Sequence, residues 1–247
     1  MRRFLVLGLA LTWVASPSYA EVTWTGDFET GSLKQWWVEQ MTASDRIRVV
    51  TDPTRQGRYA GKFIVRQGDN PISASGNRNE LVAATREATG SEYYYGWSTL
   101  FPTSFPDVNK WQLIVQWHQE ATTGCPPVEF YVVGNQLRLR LGGCEGKVVW
   151  TAPINRGKWH DFAFHVKWSP NPKVGFVELY HNGKLALSKR MIATQFANNL
   201  NYLKMGLYRD ASISQEGVVY HDGMVQATRL EDVLPSPAPE DSARGET

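Results

Sequence analysis

Val177-Glu178-Leu179-Tyr180-His181-Asn182-Gly183-Lys184-Leu185-Ala186-Leu187 reads as two short strands closed by a two-residue turn. Asn-Gly suits a turn whose central residues both take positive φ, the geometry that matches the twist of paired strands. Outward from this hairpin, short runs rich in Val, Ile, Tyr, Phe and Trp recur between Gly, Pro, Asn and Asp, and helix-period stretches are scarce. The spacing predicts strands over 22–28, 46–51, 59–66, 77–84, 92–101, 110–119, 128–133, 136–141, 147–150, 159–168, 175–181, 184–190, 201–209 and 217–228. Gly134-Asn135 marks a second, weaker hairpin. Many short strands with turn signals between them predict an all-β chain folded as a two-sheet β-sandwich.

The N-terminus has a different character. Arg2 and Arg3 precede the apolar run Phe4 to Ala15, and Ser18 and Ala20 occupy the positions a signal peptidase reads. Residues 1–20 are therefore expected to be a secretory signal peptide, and the working protein to be secreted or periplasmic. The apolar run is shorter than the ~20 residues that span a bilayer, and no later segment is long and apolar enough, so no membrane partner is expected. Without Arg2 and Arg3 the basic residues fall from 26 to 24 against 24 acids. A polyanion would then be bound by a local patch rather than by net charge. There is no basic run and no zinc spacing, which speaks against nucleic acid. About 227 residues remain, enough for one core, so 21–234 is read as one domain and a monomer is expected. The Pro-, Ser- and acid-containing 235–247 reads as a disordered tail. Cys125 and Cys144 lie in Gly- and Pro-rich segments of an exported chain, which favours a disulfide.

Alternation along the strands separates their faces. Between Trp111 and His118 one set is Trp111, Leu113, Val115 and Trp117, read as the core face; the other, Gln112, Ile114, Gln116 and His118, is read as open. Between Tyr202 and Tyr208, Leu203, Met205 and Leu207 oppose Tyr202, Lys204, Gly206 and Tyr208. Arg78 and Glu80 share a face opposite Asn79 and Leu81, and Lys204 is a cross-strand partner for Glu80. Gly206 marks a bulge or a close backbone approach.

Together, Arg78-Asn79-Glu80-Leu81, Gln116-Trp117-His118 and Tyr202-Leu203-Lys204-Met205-Gly206-Leu207-Tyr208 resemble the ordered motif set of the family 7 alginate lyases. Gly26-Asp27-Phe28-Glu29-Thr30-Gly31-Ser32-Leu33, Tyr94-Tyr95-Gly96-Trp97-Ser98 and Val219-Tyr220-His221-Asp222-Gly223 are more similar to the group containing heparin lyase I and glucuronan lyase. The resemblance covers most of the mature chain and implies a concanavalin-like jelly roll. Trp117 departs from the small aliphatic residue usual in the alginate-lyase motif, which leaves glucuronan, alginate and glycosaminoglycans open as substrates.

The resemblance implies β-elimination on a uronate-containing polysaccharide. Such an enzyme must hold the uronate carboxylate while the C5 proton leaves, so that charge developing in the enolate-like transition state is stabilised. Arg78 offers a planar fork and Gln116 an amide donor; His118 is a base near neutral pH, and Tyr208 protonates the leaving oxygen or serves as both base and acid. Asn79, Glu80, Tyr202 and Lys204 are expected around the substrate, Glu80 as the group that orients Arg78 or Lys204. His160 reads as a core residue, and His165 shares a polar face with Asp161 and Lys167. No organic cofactor is required. Asp27, Glu29 and Asp222 offer hard oxygen ligands for a structural calcium ion if the first and last strands are neighbours. Two other readings stand beside the lyase. A retaining glycoside hydrolase needs two carboxylates about 5 Å apart, and no strand carries acids at alternate positions on one face. A carbohydrate-binding module needs aromatic platforms but no acid or base.

Overall fold

The computed structural model describes residues 21–120 and 124–235. The expected signal peptide and residues 236–247 of the expected tail lie outside the described residues. Within them the chain forms β1 (Val22–Gly26), β2 (Val38–Gln40), β3 (Ile47–Val50), β4 (Ala60–Val65), β5 (Asn77–Val82), β6 (Glu92–Leu100), β7 (Gln112–Gln119) and β8 (Val128–Val133). There follow β9 (Gln136–Leu141), β10 (Lys147–Pro153), β11 (Trp159–Lys167), β12 (Phe176–His181), β13 (Lys184–Met191), β14 (Asn201–Arg209) and β15 (Gly217–Ala227), then a single 3₁₀ turn, Leu230–Asp232. None of the described helices is long and apolar enough to cross a membrane.

The strands build two antiparallel sheets packed as a jelly-roll sandwich. One runs β13-β12-β11-β6-β15-β4-β3 with β1 paired to β15; the other runs β10-β9-β8-β7-β14-β5-β2. Alternation explains the core between them. Val128, Phe130 and Val132 on β8, Leu137, Leu139 and Leu141 on β9, and Leu203, Met205 and Leu207 on β14 all point inward. They meet the aromatic side chains of the other sheet, where Trp97 stacks on Phe162 at 4.8 Å and meets Phe130 edge-on at 5.0 Å. The outer face of the second sheet is thereby left to the polar residues of the same strands.

A buried carboxyl sits inside this core. Tyr95 Oη donates to Glu87 Oε1 at 3.0 Å and accepts from Gln226 Nε2 and Trp168 Nε1. Burial pushes the Glu87 carboxyl up to about 7.

The Asn182-Gly183 hairpin forms as expected, with φ of 51° and 73° at its two central residues and His181 opposite Lys184. Several strand boundaries differ from the sequence reading, and one strand is new. β1 stops at Gly26, because Phe28 turns into the left-handed region at φ 69° while its side chain is wholly buried. β2 was not predicted; only three residues long, it is held by pairing with Val82, Leu81 and Glu80 rather than by a pattern of its own. β10 runs on to Pro153 along β9. β7 begins at Gln112 and carries a bulge.

Candidate active site

Strand pairing lays the outer face of the second sheet out as rows that cross the strands. One row reads Arg78 (β5), Tyr208 (β14), Leu113 (β7), Tyr131 (β8) and Arg138 (β9). The next reads Lys204, Gln116, Glu129 and Arg140 on β14, β7, β8 and β9. Tyr202 opposite His118 begins a third. Arg78, Gln116, His118, Tyr202, Lys204 and Tyr208 all line one groove of about 790 Å³. Residues scattered over 130 positions of sequence thus meet because β5, β14 and β7 are neighbours.

Glu80 lies beneath the groove floor and organises it. Lys204 Nζ is 2.6 Å and Arg78 Nη1 3.3 Å from Glu80 Oε2, and Gln116 Nε2 donates to Glu80 Oε1 at 2.5 Å. Burial alone would raise the Glu80 carboxyl, but Lys204 and Arg78 beside it hold it below the usual carboxylate range. Burial pulls the Lys204 ammonium down, against the opposing pull of Glu80. Two cations share one carboxylate, so the buried cluster carries one surplus positive charge directly under the groove. Arg78 is fixed further by its Nη2 donating to Ser75 O at 2.8 Å and by its guanidinium carbon 3.5 Å from the centroid of the Tyr208 ring.

His118 and Tyr208 flank this cluster. Burial pulls the His118 imidazole below its ordinary value, and nearby Lys204 adds to the effect, so the ring is neutral at neutral pH. Its Nδ1 is 2.8 Å from Gln119 O and its Nε2 3.2 Å from Gly124 O. Both partners are carbonyl oxygens, so a neutral ring donates to one of them; a proton on Nδ1 satisfies the shorter contact, and the Nε2 lone pair can take a proton only once it turns away from Gly124 O. Tyr208 Oη is 2.7 Å from Ser75 Oγ, and Trp111 meets the tyrosine ring edge-on at 4.7 Å. The Ser75 loop is pinned by reciprocal bonds between Asn70 and Ala74. The opposite wall carries the disulfide between Cys125 and Cys144, both of which line the groove. It closes a loop whose tethering contributes about 3 kcal/mol in the chain-entropy model.

Asn79 departs from its expected place near the substrate. It alternates with Arg78 and Glu80 and is wholly buried on the other face, where Nδ2 donates to Ile64 O and Asp69 Oδ2 and Oδ1 accepts from Thr42 N. Its role is to tie β5 to neighbouring segments. Glu80 likewise does not face the groove, since its oxygens are taken by Arg78, Lys204 and Gln116. On β7 the expected faces are exchanged at one end. The bulge between Leu113 and Val115 breaks the alternation, so Ile114 joins Val115 and Trp117 in the core while Trp111 and Leu113 line the groove. Gln112 is wholly buried and donates to Pro106 O.

Glu129 and Arg140 also line the groove and were not singled out from the sequence. The signal was present, because Glu129 and Tyr131 alternate with Val128, Phe130 and Val132. Glu129 pairs with Arg140, and burial pushes its carboxyl up to about 7.

The remaining candidates lie on the other sheet. His160 is buried, accepting from Asn155 N at 2.9 Å and standing 3.0 Å from His181 Nε2. His165 sits between Glu92 and Glu178. β1 and β15 are neighbours, as the calcium reading required. Yet Asp27 accepts from Gln35 Nε2 and Glu29 N, Glu29 from the Arg58 and Tyr59 amides, and Asp222 from the Arg55 and Gln56 amides. Asp222 Oδ1 alone among these is buried without a partner. Among the described residues no group of three or more His, Cys, Asp or Glu side chains forms a metal cage.

A family model described as "Polysaccharide lyase" matches residues 28–225, a span that contains every groove residue named above. The chain belongs to the polysaccharide lyase family. The lyase also resembles solved structures. An endo-β-1,4-glucuronan lyase from the fungus Trichoderma reesei is 19% identical with a TM-score of 0.73, covering 88% of this chain and 100% of that one. A family 7 alginate lyase, A1-II′, solved with substrate, is 14% identical with a TM-score of 0.62, covering 82% and 96%. The catalytic domain of a GH131 β-glucanase from Podospora anserina is 15% identical with a TM-score of 0.61, covering 83% and 95%. No curated protein matches the lyase significantly. Because a hydrolase shares the fold, architecture alone does not choose the chemistry; family membership makes the protein an enzyme of the polysaccharide lyase class.

Proposed function

We propose that the lyase cleaves a uronate-containing anionic polysaccharide by β-elimination at the groove where Arg78, Gln116, His118 and Tyr208 meet. The observation that carries this reading is the surplus charge under the floor: Arg78 and Lys204 share the single carboxylate of Glu80 beside a neutral histidine and a tyrosine hydroxyl. A uronate carboxylate placed over that cluster completes its charge balance. Gln116 adds an amide donor, and the developing enolate is stabilised by groups already in position. The base removes the C5 proton, the C4–O4 bond breaks as the C4=C5 double bond forms, and the acid protonates O4. His118 Nε2 supplies the base and Tyr208 Oη the acid; for the C5 epimer Tyr208 serves as both. Tyr202, opposite His118, extends the sugar-contacting surface.

Retaining hydrolysis would need two available carboxylates over the groove. Glu80 is spent beneath the floor, Glu129 is paired with Arg140 and Glu120 with Arg86. The Cys125–Cys144 disulfide and the sequence pattern of residues 1–20 support action outside the cytoplasm. The test offers glucuronan, alginate, hyaluronan and heparin to the purified protein and follows the ultraviolet absorbance of the unsaturated uronate. One polymer is expected to give a rise that drops by at least about 100-fold in His118→Ala and in Tyr208→Phe. New reducing ends without that absorbance would move the case to hydrolysis.

A further inference from the structure

The charge pattern under the catalytic centre recurs two strands away. Leu137, Leu139 and Leu141 take the inner face of β9, which leaves Arg138 and Arg140 on the outer face of the sheet; Val128, Phe130 and Val132 do the same on β8 for Glu129 and Tyr131, and of these four Glu129 and Arg140 line the groove itself. The guanidinium carbons of Arg138 and Arg140 stand 6.0 and 5.2 Å from the Tyr131 ring centroid, and that ring is only 5% exposed. Arg140 pairs with Glu129, which is the cross-strand neighbour of Gln116. Arg138 Nε donates to Gln136 Oε1 at 2.8 Å, and among the described residues Arg138 makes no ion pair. Here too, two cations accompany one buried carboxylate. Strands lie about 4.8 Å apart, which puts the Arg140 backbone about 10 Å from that of Gln116 and the Arg138 backbone about 19 Å from that of Arg78.

We propose that Tyr131, Arg138 and Arg140 form a second acidic-sugar subsite on the β8–β9 flank of the groove, with Glu129 as the positioning residue for Arg140. The inference rests on the elimination reading and deepens it. The polymer lies along the rows, across the strands, and is read at a second anionic group more than one sugar ring from the bond that breaks. Planar guanidiniums suit a carboxylate, which accepts two parallel N–H bonds, and stacking on Tyr131 fixes both before substrate arrives. Burying Glu129 costs desolvation that a merely solvent-facing strand would not incur. Holding Arg140 in one place over the groove accounts for it. A neutral glucan offers this flank no partner for the surplus charge.

The experiment compares the full chain with Arg138→Gln, Arg138→Gln/Arg140→Gln and Glu129→Gln by electrophoretic retardation in gels containing glucuronan, alginate or a neutral β-glucan, and by initial rates. The wild type is expected to be retarded by an acidic polymer and not by the glucan. The double variant should bind about tenfold more weakly, with less sensitivity to salt. Its KM should rise by a similar factor while kcat stays within about twofold, because the groups at the scissile bond are untouched. Glu129→Gln should raise KM less and flatten its pH dependence around neutrality, which a purely structural role would not do. Arg138→Gln removes a side chain with no ion pair, so it remains interpretable should the double variant not fold; its expected effect is a weaker retardation. Unchanged retardation and KM in folded Arg138→Gln and double variants overturn the subsite. Retardation without unsaturated product from any polymer would sink elimination and leave the subsite standing; product formation with unaltered variant binding would do the reverse.

Discussion

Glu80 holds three partners on two oxygens, and its removal has a definite sign. Glu80→Gln would leave Lys204 and Arg78, both almost wholly buried, without their counter-charge. Breaking one partner of such a cluster typically costs about 3–5 kcal/mol. We expect that loss in urea unfolding together with a collapse of activity. A stability within about 0.5 kcal/mol of wild type would contradict the hub role. At this scale much was legible from sequence: alternation alone put Arg78 beside Glu80 and suggested Lys204 as its cross-strand partner. What alternation could not give was depth, so Glu80 was expected at the substrate although it lies under the floor; Asn79, which alternation itself put opposite Arg78, was assigned to the substrate by the family resemblance and lies on the far face.

Strands differ in how faithfully they keep their period. β14 keeps it, and its apolar residues Leu203, Met205 and Leu207 all reach the core as expected. β7 breaks it at one residue, and the exchange of Leu113 for Ile114 on the groove face follows. Trp111, Leu113 and Ile114 carry no glycine or charge between them to mark the bulge, which is set by pairing with strands remote in sequence. The matching irregularity on β14 is marked: the pairing with β7 shifts between Met205 and Tyr208, where Gly206 has φ 153°. A Cβ there would lie 2.4 Å from Asn79 O on the neighbouring strand. Gly206→Ala is expected to cost about 2–3 kcal/mol, read as a lower urea midpoint, and to reduce activity by moving Lys204 and Tyr208. Wild-type stability would show that β14 can yield at this point. The short β2 marks the other limit of element-scale reading, since three residues carry no period to read.

Across the whole molecule, opposite pH slopes are built into the core. Burial pushes His221 and His181 down to about 4 and Glu87 up to about 7. A histidine whose folded value is depressed from its usual 6.5 gives stability that is full above that pH and is lost as pH falls towards 4. Glu87, raised from 4.5, gives stability that is full below pH 4.5 and is lost as pH rises through 7. Glu87→Gln should therefore unfold at higher urea than wild type at pH 8, by about 2–3 kcal/mol, with the difference vanishing near pH 4. The same difference at both pH values would mean that Glu87 is not the titrating group.

The shared carboxylate beneath the groove reaches beyond substrate capture. On the elimination proposed above, a glycosidic bond breaks without loss of a carboxylate, so the two fragments together keep every negative charge of the chain that arrived. On that proposal, the same excess of cations over Glu80 that would recruit the polymer would also detain what has been made from it. Turnover then becomes a contest between capture and escape, in which screening by salt weakens the first and hastens the second.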